Sequence, residues 1–591
     1  MEMNWRVNAK KADFDGIAAE YGISPVIARV ITNRGVSRED IGKYLYGKIS
    51  DVRDPWSMAD MELGCNIMSN KIKADASIRV VGDYDVDGIT STYILYDGLR
   101  SLGANVSYDI PDRIRDGYGI NVRIINDARR DNVDTIITCD NGISAFEAIA
   151  LAKEYGMTVI VTDHHELKYE LDDSGIKQYR WVDADAIIDI KRPDCPYPFK
   201  EICGATVAYK FLQCLYEVMC KPWGDSDRYI EFVAIATQCD IMSLTDENRI
   251  YVKRGLDVFP NTKNKGFQAL IEAAGLSGKK LSSYHLGFVL GPCLNATGRL
   301  DSAKEALQLL LTDDGEMARK LAESVVLLNE SRKQLTNEGV HAAEEWVDAC
   351  DKLPDVLVVY LPDIHESIAG IIAGRIRERY YRPTYVLTKT ENGILKGSGR
   401  SIKGYNMFDE LTKCADLFLG YGGHELAAGF SLVEDNLESM REALNRLHTM
   451  TEEVLTPKLM IDVPMPMSYP DAELVEQLAL LEPYGKDNEK PVFAESQIGV
   501  VNARLIGSEG QYIRLTFKDR YGNRINGIDF NANNFISCIK LWFGEQECDK
   551  MFNGEPNDIL IDVAYTPDVN EYNGRITMQI EPIAFRKSEM E

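Results

Sequence analysis

The stretch Gly82-Asp83-Tyr84-Asp85-Val86-Asp87-Gly88 follows directly after the short apolar run Ile78 to Val81. Its three carboxylates stand at alternate positions just past the end of a predicted strand, and hard divalent cations prefer such oxygen ligands. Gly88 permits the sharp turn that the chain needs at this point. A lone Asp-x-Asp is more often a solvated turn, so the meaning of this stretch depends on its companions.

Two further polar clusters also follow apolar runs. Cys139-Asp140-Asn141-Gly142 follows Thr135 to Thr138, and Asp163-His164-His165 follows Met157 to Val161. With helical patterns such as Ser144 to Tyr155 between them, these runs predict a parallel α/β sheet. Ligands bind beyond the carboxyl ends of the strands in such sheets, so the clusters should meet in one crevice. Because that many carboxylates would repel one another, the sequence predicts a pair of divalent metal ions.

The composition sets broad limits on the protein. A length of 591 residues predicts two to four domains, and 45% apolar residues indicate a folded chain. No run approaches the roughly 20 apolar residues of a membrane helix, and Met1 to Ala12 does not resemble a signal sequence. The 12 cysteines include no Cys-x-x-Cys pair, which favours reduced thiols. We therefore expect a cytoplasmic protein.

The net charge of −26 argues, as a global sum, against a nucleic-acid partner. Part of that charge consists of carboxylates that metal ions would neutralise, and another part is an acidic, solvated helix face around Asp313 to Glu345. Basic residues could still line a groove locally. The charge alone therefore excludes no function.

The order of patterns predicts an α/β fold with two α/β lobes joined by a long helix, plus a C-terminal OB-type β-barrel. The expected parts are an N-terminal helical segment (1–70), a catalytic domain (71–300), a connecting helix (301–350), a second α/β domain (351–450) and the barrel (457–587). Thr312 to Gly315 and Gly339 are the expected breaks in the long helical pattern. The barrel is predicted from five alternating runs: Gln497 to Leu505, Tyr512 to Phe517, Arg524 to Phe530, Ile559 to Tyr565 and Arg575 to Ile580.

The second lobe carries a candidate phosphate site. Gly397-Ser398-Gly399-Arg400-Ser401 offers backbone N–H groups, two hydroxyls and a guanidinium that can grip phosphate in bidentate fashion. Gly422-Gly423-His424 lies on the same lobe. Taken alone, such a stretch is more often only a turn.

The motifs together resemble those of the DHH phosphoesterase superfamily and, within it, the RecJ family of single-strand-specific 5′ to 3′ exonucleases. The three clusters above and Asp240, which follows the apolar helix Tyr229 to Thr237, resemble the superfamily's four motifs. RecJ-like features recur along nearly the whole chain, and include Cys195 to Lys200, Cys203-Gly204-Ala205, Gly291 to Arg299, Gly397 to Ser401, Ala427 to Phe430 and Leu481 to Gly485.

The resemblance implies a role for each candidate site residue. Two Mn²⁺ or Mg²⁺ ions would be bound by Asp85, Asp87, Asp140, His164 and Asp240, with Asp140 as the bridging ligand. Asp83 would assist them, Asp163 would orient an imidazole, and His165 would face the scissile phosphate. The nucleic acid would contact Ser398, Arg400, Ser401, Gly423 and His424, with Asn295, Arg299 and His365 as further candidates. Barrel aromatics could stack on bases or fill the core: Tyr512, Phe517, Tyr565 and Tyr572.

The implied function is hydrolysis of single-stranded DNA from the 5′ end to mononucleotides, in DNA recombination and repair, by two-metal activation of water. The alternatives are a phosphodiesterase for short oligonucleotides or cyclic dinucleotides and a non-catalytic replication or repair scaffold. We expect a monomer, with a single-strand-binding protein or a helicase as candidate partners. The chain departs from the family pattern at three places: Cys293 replaces a usual Arg, and Asp183-Ala184 and Asp487 to Lys490 also differ. Every implied metal ligand is present.

Overall fold

The computed structural model describes residues 3–113, 115–172, 174–223, 226–300, 302–572 and 575–589, in two compact units. One unit contains the chain up to Gly47, Thr456–Tyr484 and the chain from Asn488 onward; the other contains Lys48–Leu455 and Gly485–Asp487. Within these described ranges, none of the helices has the length and apolar character needed to span a bilayer.

The N-terminal segment forms β1 (Asn4–Val7), α1 (Phe14–Tyr21), α2 (Pro25–Asn33) and α3 (Ile41–Tyr46). Ser24 caps α2, since its hydroxyl accepts a hydrogen bond from the Ile27 amide and proline occupies the first helical position. The strand β1 was not predicted. It pairs in parallel with Lys458–Ile461, more than 400 residues later in the chain, so the local pattern could not reveal it.

The first α/β domain contains the predicted parallel sheet. Its strands are β2 (Ser77–Val81), β3 (Asn105–Asp109), β4 (Thr135–Cys139), β5 (Thr158–Asp163) and β8 (Ala186–Asp189), with β6 (Tyr169–Leu171) and β7 (Lys177–Tyr179) as a separate hairpin. Its helices are α4 (Met61–Lys73), α5 (Val86–Ser101), α6 (Val122–Arg130), α7 (Phe146–Glu154), α8 (Gly204–Val218), α9 (Ile230–Cys239), α10 (Asp246–Val258), α11 (Lys265–Ala273) and α12 (Gly291–Leu300).

Helices cover both faces of this sheet. Val80 and Ile137 point into the core formed with α5 and α8, whereas Val81 and Ile136 point into the core formed with α6 and α7. This explains why the strands appear in the sequence as continuous apolar runs. The strand order is β3-β2-β4-β5-β8, all parallel, so the direction of winding reverses between β2 and β4. That reversal is where open α/β sheets bind ligands.

Two helices, α13 (Ala303–Leu311) and α14 (Gly315–Asp348), connect the two α/β domains. The predicted break at Thr312 to Gly315 is confirmed, but the predicted break at Gly339 is wrong, because α14 runs straight through it. A Cβ atom at Gly339 would lie 2.4 Å from the Ile372 side chain. The glycine therefore serves close helix packing.

The second α/β domain has a mixed sheet in the order β12-β13-β11-β10-β9, in which only β9 and β10 are parallel. Its strands are β9 (Leu357–Tyr360), β10 (Thr384–Lys389), β11 (Leu395–Arg400), β12 (Gly420–Gly423) and β13 (Ala427–Leu432). Its helices are α15 (Ala369–Tyr380), α16 (Met407–Thr412), α17 (Leu437–Leu447) and α18 (Glu452–Leu455).

The C-terminal residues form the predicted five-stranded barrel. Its strands are β16 (Phe493–Ile506), β17 (Tyr512–Lys518), β18 (Arg524–Asp529), β19 (Leu560–Tyr572) and β20 (Arg575–Lys587), closed by pairing of β16 with β19. The short strands β14 (Lys458–Ile461) and β15 (Val463–Pro464) and the helices α19 (Ala472–Leu478), α20 (Ala532–Phe543) and α21 (Glu545–Asn553) complete the unit. Phe517 and Tyr565 are buried core residues, Tyr512 is exposed, and the Tyr572 side chain lies outside the described residues.

Candidate metal centre and phosphate-binding cluster

The aspartate-rich turn joins the end of β2 to the start of α5. Asp85 caps α5, since its Oδ1 accepts a hydrogen bond from the Gly88 amide at 3.1 Å. A Cβ atom at Gly88 would lie 2.4 Å from the backbone oxygen of Asp83, so only glycine fits there. The side chain of Asn295 on α12 braces the turn by accepting from the Val86 amide at 3.1 Å.

Asp87 is held by the first turn of α8. Its two carboxylate oxygens accept hydrogen bonds from the Gly204 and Ala205 amides at 2.6 and 2.7 Å, where the helix dipole favours negative charge. A Cβ atom at Gly204 would lie 2.6 Å from the Asp140 Cβ. The Cys203-Gly204-Ala205 motif thus lets α8 approach the acidic cluster closely.

Asp140 and His164 extend from the neighbouring strand ends. Asp140 follows β4 with a φ of 60°, a left-handed conformation that is uncommon for residues other than glycine. His164 Nε2 lies 3.0 Å from Asp140 Oδ1, 3.6 Å from Asp87 Oδ2 and 3.7 Å from Asp240 Oδ2. Asp240 immediately follows α9. The structure therefore brings three of the predicted metal ligands around the imidazole nitrogen of a fourth, His164.

The remaining predicted ligand, Asp85, belongs to an adjacent group. Asp83, Asp85 and Asp140 form one group, in which each residue offers a carboxylate oxygen within 4.8 Å of those of the other two. Asp87, His164 and Asp240 form a second group, whose potential metal-ligand atoms also lie within 4.8 Å of one another. The two groups meet at Asp140, whose Oδ1 lies beside His164, so a shared carboxylate can join two sites. A ring nitrogen of His165 also lies within 4.8 Å of potential metal-ligand atoms of Asp140 and His164.

The electrostatics of the cluster fit a metal pair. Burial and then mutual repulsion raise the pKa values of Asp83, Asp140 and Asp240 well above the usual range, and that of Asp87 to about 6. One buried oxygen of Asp83 and one of Asp240 have no hydrogen-bond partner in the described part of the chain. Divalent cations would supply both the missing charge and the missing partners.

His164 has the protonation state that a metal ligand requires. Burial, followed by the nearby charge of His165, lowers the His164 pKa to about 3. The imidazole is therefore neutral at physiological pH, and its ring also hydrogen-bonds the backbone of Ile202, which fixes its orientation.

His165 is prepared for a different task. Its Nδ1 donates to Asp163 Oδ1 at 2.7 Å, and the same carboxylate accepts from the Ile143 and His164 amides. Burial alone would lower the His165 pKa, but Asp163 and nearby carboxylates raise it to about 10. His165 is consequently a cation at neutral pH, and its side chain is 43% exposed.

Tyr118 is a site residue that the sequence analysis missed. Its hydroxyl donates to the Asp140 carbonyl oxygen at 2.7 Å and lies 3.2 Å from His165 Nε2. The Gly119 amide bonds Asp83 Oδ1, which ties this loop to the acidic turn. The available signal was a tyrosine between two glycines, Gly117 and Gly119, both of which adopt positive φ.

The Gly397 to Ser401 stretch differs from the predicted phosphate-binding turn. It is mostly strand β11, paired with β10 on one side and β13 on the other, so its backbone amides belong to the sheet ladders. The prediction that backbone N–H groups of this stretch bind phosphate is therefore wrong. Ser398 and Arg400 extend from one face of the strand, whereas the Ser401 hydroxyl is buried and bonds the Ile402 and Tyr405 carbonyl oxygens.

A cavity of about 390 Å³ lies beside Ser398, lined by Arg113, Ser367, Lys396 and Tyr421 among others. Gly423 and His424 lie at the end of β12, at the surface of the domain. Partial burial of the His424 ring is the larger cause that lowers its pKa, and the positive charge of Arg400 is the second. His365 caps the turn before α15 by bonding Ser367. The cavity therefore joins the catalytic domain, through Arg113, to the second domain.

Arg299 links these two domains directly, since its Nη1 donates to the Ser367 carbonyl oxygen at 2.7 Å. Burial and then the positive charges of Arg113, Arg332 and Arg400 lower the Arg299 pKa to about 9, while Asp85 opposes the shift. Within the described ranges, these four arginines and Arg375 have no carboxylate oxygen within 4.0 Å. Five unpaired guanidiniums in a chain of net charge −26 indicate a site for anions.

The fold and the acidic centre define a phosphoesterase of the DHH class. Residues 77–237 match the DHH family N-terminal domain, 354–449 match the DHHA1 domain and 461–583 match the RecJ OB domain. The chain belongs to the RecJ family.

The similarity to relatives extends over nearly the whole chain. The chain is 32% identical over 584 residues to the single-stranded-DNA-specific exonuclease RecJ of Bacillus subtilis, and the match covers 98% of this chain and 70% of that protein. It is 31% identical to RecJ of Escherichia coli, covering 94% of this chain and 95% of that protein. The crystal structure of Thermus thermophilus RecJ with Mn²⁺ is similar at a TM-score of 0.82 and 25% identity, covering 99% of this chain and 80% of that one.

Proposed function

We propose that the chain hydrolyses single-stranded DNA from its 5′ end and releases mononucleotides in DNA recombination and repair. The observation that supports this most strongly is that an acidic centre with five carboxylates lies in the same unit as five arginines that have no carboxylate oxygen within 4.0 Å among the described residues. The first suits metal ions and the second suits the phosphates of a polymer. Relatives named single-stranded-DNA-specific exonucleases are 32% and 31% identical over nearly the whole chain.

Asp85, Asp87, Asp140, His164 and Asp240 would hold two Mn²⁺ or Mg²⁺ ions, with Asp140 between them and Asp83 in support. When bound, such ions lower the pKa of a water molecule and stabilise charge on a phosphodiester. Asp163 keeps His165 charged and oriented through Nδ1, and Nε2, which lies 3.2 Å from the Tyr118 hydroxyl, would also meet the substrate. Hydrolysis adds water across the P–O3′ bond, and His165 can give the leaving 3′-oxygen its proton.

Ser398, Arg400 and Arg299 would hold the phosphate at the 5′ end. Arg400 and Arg299 supply charge, and Ser398 borders the cavity beside them. Gly423, His424 and His365 flank this region, and Asn295 acts indirectly through the Asp85 turn. Ser401 contributes to stability instead. We further propose a cytoplasmic monomer whose partners include a single-strand-binding protein or a helicase.

The test uses the full chain with Mn²⁺ and a 20-nucleotide single strand labelled at either end. A 5′ label should appear at once as mononucleotide, whereas a 3′ label should pass through progressively shorter strands. Single-stranded RNA, a dinucleotide and a cyclic dinucleotide serve as competing substrates. Faster hydrolysis of either dinucleotide would favour the small-substrate alternative, and binding without hydrolysis would favour a scaffold.

A further inference from the structure

Asn248 lies in the first turn of α10 and is fully buried. Its Nδ2 donates to the Ser243 carbonyl oxygen at 3.0 Å and also to the Glu201 carbonyl oxygen. Both N–H donors of the amide are thereby used, whereas its Oδ1 has no hydrogen-bond partner in the described part of the chain. The side chain therefore ties two loops together through its donors alone.

The first of these loops aligns two potential ligands of the metal centre. Glu201 is followed by Ile202, whose backbone hydrogen-bonds the ring of His164. The loop then enters α8, whose first two amides donate to the carboxylate oxygens of Asp87 at 2.6 and 2.7 Å. A shift of the Glu201 carbonyl would therefore move the groups that orient both His164 and Asp87.

The second loop carries a third potential ligand. Asp240 follows α9, and the next residue, Ile241, has a φ of 54°. A β-branched residue rarely adopts this left-handed conformation, which persists only where the surroundings hold the backbone. The asparagine holds the end of the loop at the Ser243 carbonyl oxygen. The next amide, that of Leu244, donates to the Lys486 carbonyl oxygen at 2.9 Å.

The metal centre contains two ligand groups that share no residue: Asp87, His164 and Asp240 in one, and Asp83, Asp85 and Asp140 in the other. We name them the His164 group and the Asp85 group. Each residue of the His164 group is carried or oriented by a loop that Asn248 holds. The Asp85 group depends on other contacts, since Asn295 bonds the Val86 amide and the Gly119 amide bonds Asp83.

We infer that Asn248 is a positioning residue for one of the two metal ions, because it sets the geometry of the His164 group and not that of the Asp85 group. This inference rests on the metal ligands of the proposed function and adds a residue that touches neither an ion nor the substrate. Partners that orient metal ligands commonly contribute about 10-fold to 100-fold in metal affinity. A purely structural asparagine would lower stability without distinguishing between the ions.

The test is a calorimetric titration of the metal-free full chain with Mn²⁺, with no DNA present. The wild type should bind two ions. Asn248→Leu keeps the approximate size of the side chain but removes both donors, so it should bind one ion about 10-fold to 100-fold more weakly and the other nearly as the wild type does. Electron paramagnetic resonance at two equivalents of Mn²⁺ should show a coupled pair in the wild type. The variant should show mainly isolated Mn²⁺, as Asp240→Asn should.

Asn445→Leu is the matched control. Asn445 on α17 also donates to two backbone carbonyl oxygens, those of Val356 and Arg441 at 3.0 and 3.1 Å, but it lies in the second α/β domain. Its loss should lower the melting temperature and leave both Mn²⁺ affinities unchanged. The inference is overturned by equal weakening of both ions, by wild-type binding in a folded Asn248→Leu variant, by the same selective loss in Asn445→Leu, or by fewer than two ions in the wild type.

Asn248→Ser, which keeps one hydroxyl donor, is judged by the same criteria if Asn248→Leu does not fold. Because the titration contains no DNA, its result is separate from that of the hydrolysis test. Two ions bound by the wild type without cleavage of single-stranded DNA would refute the proposed function alone.

Discussion

Asp163 Oδ1 lies 2.7 Å from His165 Nδ1, and this contact separates the tasks of two adjacent histidines. It keeps His165 charged, while His164, whose Nε2 lies 3.0 Å from Asp140, stays neutral. One imidazole is thereby suited to bind metal and the other to meet an anionic phosphate.

Asp163→Asn should lower kcat by about a hundredfold or more, because the amide cannot hold His165 charged. Mn²⁺ affinity should fall far less, since His164 and the carboxylates remain. Single-turnover hydrolysis and Mn²⁺ titration of the same preparation measure both effects. A parallel loss of metal binding would show that Asp163 acts mainly on the metal ligands.

Tyr118→Phe should lower kcat about tenfold, since it removes one hydroxyl that bonds Asp140 and His165 but keeps the ring. Tyr169→Phe is the control, because Tyr169 is an exposed tyrosine on the separate hairpin. Similar rates for both variants would remove Tyr118 from the site.

Ser398 and Ser401 should respond in opposite ways to alanine substitution. Ser398→Ala should raise KM for 5′-phosphorylated strands several-fold with little change in melting temperature, because Ser398 borders the cavity. Ser401→Ala should cost about 1–3 kcal/mol of stability, because it removes a buried hydroxyl that bonds two carbonyl oxygens. Thermal melts and steady-state kinetics of the two variants measure these effects. A rise in KM confined to Ser401→Ala would mean that Ser401, and not Ser398, contacts the substrate.

Glu231 on α9 makes stability depend on pH. It is buried, with Oε1 accepting from the Thr262 hydroxyl at 2.7 Å, and burial raises its pKa from 4.5 to about 7. A carboxyl with a raised folded-state pKa binds its proton more tightly in the native protein, so stability is lost as pH rises from 4.5 through 7.

Glu231→Gln should therefore raise the melting temperature at pH 8 and change it much less near pH 5. The gain in the free energy of unfolding at pH 8 should be at most about 3 kcal/mol. The exposed Glu323→Gln serves as a control. A stabilisation of equal size at both pH values would contradict the assigned pKa.

The acidic centre could be predicted because parallel topology brings strand ends together, so Asp85, Asp140 and His164 needed only a correct sheet. Tyr118 was missed because it reaches the centre from a loop, which has no periodic pattern. Ser401 was wrongly predicted to contact nucleic acid because the stretch before it was interpreted as a turn, whereas it is a strand. Glycines in Gly397 to Ser401 suggested a turn, whereas they allow β11 to pack closely, since a Cβ atom at Gly397 would lie 2.2 Å from Phe430. Strand β1 depends on pairing with a segment far along the chain, which one sequence does not show.

The two-metal centre is tested most directly by Mn²⁺-dependent release of mononucleotides from 5′-labelled single-stranded DNA by the wild-type chain and by Asp140→Asn. We expect steady release by the wild type and none with EDTA. Asp140→Asn should keep its melting profile and lose at least about a thousandfold in rate, because the shared ligand is gone. Undiminished release by folded Asp140→Asn, or no release by wild-type protein with Mn²⁺ bound, would show that this centre does not carry the hydrolysis.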